Sequence, residues 1–156
     1  MMYQATQVLA AFIGTVAFSV LFSVPRQHYF FCGLTGAVGW AVYLLVNGWM
    51  NSPMGATFAA AFVLTVLSRF LSVFCRTPTT VFLLCGIFTL VPGAWIYYTA
   101  YYAVIGDGSE AMARGLESLK MAAAIGLAIG ATYSIPERVF GWKKKVDIWH
   151  ENSHED

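Results

Sequence analysis

The residues best placed to do chemistry lie in and after one long apolar run. Pro92 and Gly93 interrupt the uncharged stretch from Thr79 to Ile105 near its middle. Proline deletes a backbone donor and collides with the carbonyl one turn earlier, while glycine adds freedom, so the pair predicts a helix break and backbone groups near Thr89 and Leu90 without helical partners. A second half-helix starting near Gly93 would present the positive end of its dipole to an anion, and a carboxylate suits that position. The competing reading is a kink absorbed by a neighbouring helix. Beyond the break, Trp95, Tyr97, Tyr98, Tyr101 and Tyr102 follow in quick succession. Tyr97, one turn from Pro92, and Tyr101 are candidates to meet a passing solute, whereas an aromatic belt at the lipid headgroups would need no such role.

Arg69 is the single charge inside the first four apolar runs. Charge in hydrocarbon is costly, so it reads either as counter-ion to a carboxylate or as a side chain snorkelling about 10 Å to the surface. Asp107, Glu110, Arg114, Glu117 and Lys120 share one helical face at spacings of three and four. This stripe suits an aqueous vestibule, proton coupling or a second subunit, and equally a solvated interfacial helix. Gly36, with Gly33 and Gly39, and the Gly126-x-x-x-Gly130 spacing permit close helix contact, within the bundle or between subunits. His150 and His154 stand four apart in the tail, where a solvated reading outweighs a metal site. Cys32, Cys75 and Cys85 show no ligand spacing and read as small buried hydrophobes. No Ser-His-Asp set, phosphate loop or dinucleotide fingerprint occurs in the sequence, so neither an enzyme nor a cofactor is expected.

The elements that position these residues are membrane helices. Of 156 residues 58% are apolar and only 11% are charged, and mean hydropathy is +0.64. Eight of the seventeen charges fall in the first 136 residues and nine in the last twenty, which divides a lipid-adapted region, 1–137, from a polar tail, 138–156. A net charge of +1 gives no field for nucleic acid. Apolar runs place spans near 2–24, 28–50, 54–75 and 79–105, the last broken at Pro92-Gly93, with a fifth near 112–136. Asn51-Ser52-Pro53, Arg76-Thr77-Pro78 and Gly106-Asp107-Gly108 supply the turns. The expectation is an all-α integral membrane bundle of about five transmembrane helices. Because Arg26 follows the first run, that run reads as a span and not as a cleaved signal. Arg26, Arg76, Arg138 and Lys143 to Lys145 then share one side, which puts the amino terminus outside and the carboxy terminus in the cytoplasm, with Arg114 and Lys120 as exceptions.

Leu90-Val91-Pro92-Gly93 followed by Tyr97, preceded by Ser68-Arg69 and Pro78 and followed by Gly106-Asp107 and an Ala/Gly-rich last span, resembles the threonine/serine exporter family. Val24-Pro25 is similar too, and the resemblance covers roughly residues 8 to 136, with the tail outside it. The family pattern is one long chain or two chains, and this sequence resembles the short partner, the carboxy-terminal membrane half. The resemblance implies a subunit of a bacterial inner-membrane exporter of small carboxylate-bearing metabolites, threonine and serine or a dicarboxylate such as succinate, acting with a larger membrane subunit in an oligomer. The rival expectation is a non-transporting scaffold or assembly subunit, whose charged stripe and glycine faces are contact surfaces only.

Overall fold

A computed structural model describes residues 2–135, and the polar tail with His150, His154 and the lysine run lies outside the described residues. Six α-helices follow in order: α1 Met2–Leu21, α2 Tyr29–Met50, α3 Pro53–Cys75, α4 Thr79–Ile87, α5 Gly93–Ile105 and α6 Gly108–Tyr133, with a short 3₁₀ turn Arg26–His28 before α2. No strand occurs among the described residues. This is the all-α architecture the apolar runs require, because a chain in lipid must satisfy its backbone polar groups within each segment.

Local chemistry sets most of the helix ends. Asn51 closes α2 in the left-handed conformation at φ 46°, its N–H on the Asn47 carbonyl. Ser52 then caps α3, its hydroxyl accepting from the Gly55 N–H, and Pro53 enters at the first turn, where a missing donor costs nothing. Arg76 ends α3 with a second left-handed residue, φ 51°, and Pro78 sends the chain into α4. Asp107 starts α6 by accepting from the Glu110 N–H. That cap draws Gly108 to Ala111 into the helix, so α6 begins four residues before the apolar segment expected from 112.

α2 and α3 form the central pair. α1 lies along α2, α4 closes over both α2 and α3, α6 packs on α3, and α5 packs mainly on α6. One apolar core joins Ala60, Ala61 and Leu64 of α3 to Leu83, Leu90, Ile125 and Ala128. A second, containing Val24, Cys32, Leu71, Phe82 and Cys85, fills the end near the α1–α2 corner. Between them run fully buried hydroxyls, including Thr15, Ser19, Thr35, Thr65, Ser68 and Thr132. Each donates to a carbonyl three or four residues earlier in its own helix, so these polar groups are satisfied without water. Large apolar side chains such as Leu9, Leu45, Phe70 and Phe74 point outward, as lipid-facing residues must.

Among the described residues three helical stretches are long and apolar enough to cross a membrane, within Tyr3–Leu21, Arg26–Met50 and Pro53–Cys75. At helical rise the nine residues of α4 reach about 14 Å and the thirteen of α5 about 20 Å, so neither crosses by itself.

Small residues act unequally. A Cβ at Gly36 would collide with the Thr15 side chain, and one at Gly33 with Phe12 and Val16, so α1 and α2 meet at van der Waals contact. At Gly126 and Gly130 a Cβ would meet nothing within 4 Å among the described residues, and both lie on the exposed side of α6. Gly36→Leu is therefore expected to lower stability by about 1–3 kcal/mol through overpacking, whereas Gly126→Leu and Gly130→Leu leave it unchanged. Thermal unfolding of the detergent-solubilised chain measures both. Equal losses at all three positions would show that α6 packs differently.

Candidate functional site

The break is a five-residue segment, Phe88–Pro92. Having no N–H, Pro92 cannot bond to the Phe88 carbonyl, and the chain ahead of it tightens. The Thr89 N–H reaches Gly86 O at 3.2 Å and the Leu90 N–H reaches Ile87 O at 2.9 Å. Pro92 adopts φ −75° and ψ 54°, and the Gly93 N–H donates to Val91 O at 2.7 Å, an inverse γ-turn. α5 then starts with no side-chain cap among the described residues. Its amino end, where the dipole is positive, is left to whatever enters the adjoining space.

That space is a cavity of about 130 Å³ between the break and the central pair, lined by Trp40, Tyr43, Thr57, Met121 and the stretch from Thr89 to Trp95. Pro92 is buried and also lines a more open, apolar groove of about 550 Å³ on the other side, bounded by Ile96 and by Gly115, Ser118, Leu119 and Ala122 of α6. A third space, about 300 Å³, runs along α1 from Gln7 to Phe18 and ends on Trp40, Phe88 and Thr89. The helix break thus sits where three cavities converge.

The residues singled out by sequence do not all gather here. Pro92 and Gly93 form the cavity wall. Tyr97 and Tyr101 stack on each other, centroids 6.3 Å apart, on the outer face of α5, 64% and 47% exposed, and line none of the three spaces. Arg69 is 8% exposed and lies at the far end of α6. Its Nη1 donates to Thr132 O at 2.5 Å and Ile135 O at 3.1 Å, and the guanidinium stands 5.3 Å from the Tyr133 ring centroid. It holds the carboxyl end of α6 against α3 and does not line the break cavity.

Arg114 is different. Its guanidinium lies 5.3 Å from the centroid of Trp95, a cavity residue in the first turn of α5, while its Nη2 pairs with Glu110 at 3.4 Å. This cation lies against the Trp95 ring and does not itself line any of the three spaces. Glu117 pairs with Lys120 at 2.9 Å. These half-exposed pairs at helical spacing contribute little stability. Asp107 is held below the usual carboxylate range by the Ser109 hydroxyl at 2.8 Å and then by the Glu110 N–H at 3.2 Å. Because its folded value lies below its unfolded one, its cap contributes fully above about pH 4 and is lost as pH falls through the depressed folded value. Amide protection factors at the start of α6, corrected for the intrinsic exchange rate, should fall in acid, and Asp107→Asn, which keeps the capping oxygen, should abolish that pH dependence.

Sequence reasoning missed Trp40, Tyr43, Gln7 and Thr89 as cavity residues. A break in one helix points to no partner on another, although an indole in the middle of an apolar span was a usable signal.

The all-helical bundle and its long apolar helices define an all-α multi-pass membrane protein. The family model described as "Threonine/Serine exporter, ThrE" matches residues 7–135, and the chain belongs to that family. Comparison with curated proteins and with solved structures returned no match. Membership places the chain in a class of exporters, which is not a class of enzymes.

Proposed function

We propose that this chain is a subunit of a secondary transporter that exports small carboxylate-bearing metabolites, threonine and serine or a dicarboxylate such as succinate, across the bacterial inner membrane together with a larger membrane subunit. The observation that carries the reading is the uncapped amino end of α5 opening on the break cavity, with the Arg114 cation against the ring of its Trp95. Partial positive charge at the helix end and a guanidinium on the neighbouring indole suit an anionic head. Pro92 and Gly93 shape the path. Of the two arginines, Arg114 has the position to draw a carboxylate inward, whereas Tyr97 and Tyr101 fit the path only where α5 faces another subunit. Asp107, Glu110 and Glu117 rim the outer mouth in this reading and are its candidates for proton coupling.

Five crossings accommodate the chain, with α4 and α5 together making the fourth and α6 the fifth, the amino terminus outside and the carboxy terminus in the cytoplasm. Cysteines placed at Ser52 and Ser109 should then react with an impermeant reagent added outside, and one at Asn152 should not. The reverse pattern would overturn this topology. The open Gly126 and Gly130 face favours a contact between subunits, which also fits the second reading, a non-transporting assembly subunit. Proteoliposomes holding this chain and the larger subunit separate the two. Exchange of external labelled threonine, serine or succinate for internal unlabelled solute supports transport, and absence of exchange supports assembly alone.

A further inference from the structure

Two residues that line the α1 groove each hold a buried polar atom without a partner among the described residues. These atoms are the indole Nε1 of Trp40 and the carboxamide Oε1 of Gln7. An indole N–H can only donate, and a buried donor left unbonded costs about 1–3 kcal/mol. No group among the described residues accepts from it, the Thr89 hydroxyl that lines the same space included, whose own proton goes to Gly86 O at 2.7 Å. Trp40 sits in the middle of α2 and its ring stacks on Tyr43, centroids 5.1 Å apart and 26° from parallel. With Thr89 it is shared by the break cavity and the α1 groove, and so forms the wall between them.

We infer that Trp40 and Gln7 are substrate-positioning residues, the indole N–H donating to a carboxylate of the solute and the Gln7 carboxamide taking the solute's second polar group. The inference rests on the transport reading above and deepens it. It runs the path from the break cavity past Trp40 along α1, and not along the tyrosine face of α5. A carboxylate is the acceptor that best suits a desolvated N–H, since a charge-assisted bond is stronger than a neutral one. The carboxamide presents an acceptor and a donor, so it serves an ammonium group or a second carboxylate alike. Amino acids and dicarboxylates share the first contact and differ at the second.

Trp40→Phe keeps an aromatic ring against Tyr43 while removing the N–H together with one ring of the indole, and Gln7→Leu replaces the carboxamide by an apolar group of similar size. In cells carrying this chain and the larger subunit, each variant is expected to raise the half-saturating concentration for export at least tenfold, with maximal rate and membrane level within twofold of wild type. Labelled threonine, serine and succinate are the probes, and the one whose half-saturation Gln7→Leu shifts identifies the second polar group. An unchanged half-saturation, or a lost maximal rate at unchanged half-saturation, would overturn the inference, the second outcome marking a packing role. If Trp40→Phe does not reach the membrane, Gln7→Leu decides by the same criteria. Equilibrium binding of the same solutes to the purified two-subunit complex separates this inference from the transport reading. Binding without export, weakened tenfold by Trp40→Phe, would sustain the site while refuting export, and a wild type that binds none of the three would overturn both.

Discussion

Pro92→Ala is expected to lower export at least tenfold while leaving the amount of protein in the membrane unchanged. Alanine restores an N–H that can reach the Phe88 carbonyl, which lets α4 and α5 join into one helix from Thr79 to Ile105. The inverse γ-turn at Pro92 would be lost, and with it the separation of Gly93, Ala94 and Trp95 from the helix below. Their amides would then bond to carbonyls one turn earlier, and the positive end of α5 would no longer face the cavity. A tenfold loss corresponds to about 1.4 kcal/mol, which is modest for removing such an electrostatic contact in a low-dielectric site. Gly93→Ala is a useful control. A Cβ there meets nothing within 4 Å, so it narrows the cavity without rejoining the helix and should cost less. Normal export by Pro92→Ala would remove the break from the mechanism.

Arg69→Met is expected to destabilise the chain by about 3 kcal/mol, because it strips the charged donor from the Thr132 carbonyl, which keeps the Ile135 N–H, and leaves the part-buried Ile135 carbonyl without its guanidinium. The last carbonyls of a helix have no partner within it and carry its negative dipole end, so a cation there answers both needs. Arg69 supplies that cation from α3, 63 residues away from Thr132 in the chain. Arg69→Lys retains the charge but not the planar fork, and should fall between Met and wild type. Thermal unfolding in detergent reads the loss. A fully stable Arg69→Met with weakened substrate binding would show instead that the guanidinium serves the solute.

How much of this was legible in the sequence depended on range. Helix ends were legible because their determinants are local: Asn51-Ser52-Pro53 is turn, cap and first-turn proline, and Arg76-Thr77-Pro78 is a turn closed by proline. The break at Pro92 was legible too, although its breadth, Phe88 to Pro92, follows from how Thr89 and Leu90 close into tight turns. Asp107 to Glu110 carried a capping signal that a reading for turns passed over. Partners across helices were not legible. Arg69 read equally as counter-ion or snorkelling cation, since nothing near it in sequence announces the end of α6. Trp40 stood out only as an indole inside an apolar span and Gln7 not at all, because their significance lies in what they fail to bond, a property of the assembled bundle. Gly36 and Gly126 looked alike as small residues in apolar runs, yet one is pressed on Thr15 and the other stands open.

The most direct test of the account is efflux from bacterial cells preloaded with labelled threonine, serine and succinate, comparing this chain alone, this chain with the larger subunit, and neither. Export of at least one solute only when both chains are present is the predicted result, and absence of export in every arrangement would contradict it.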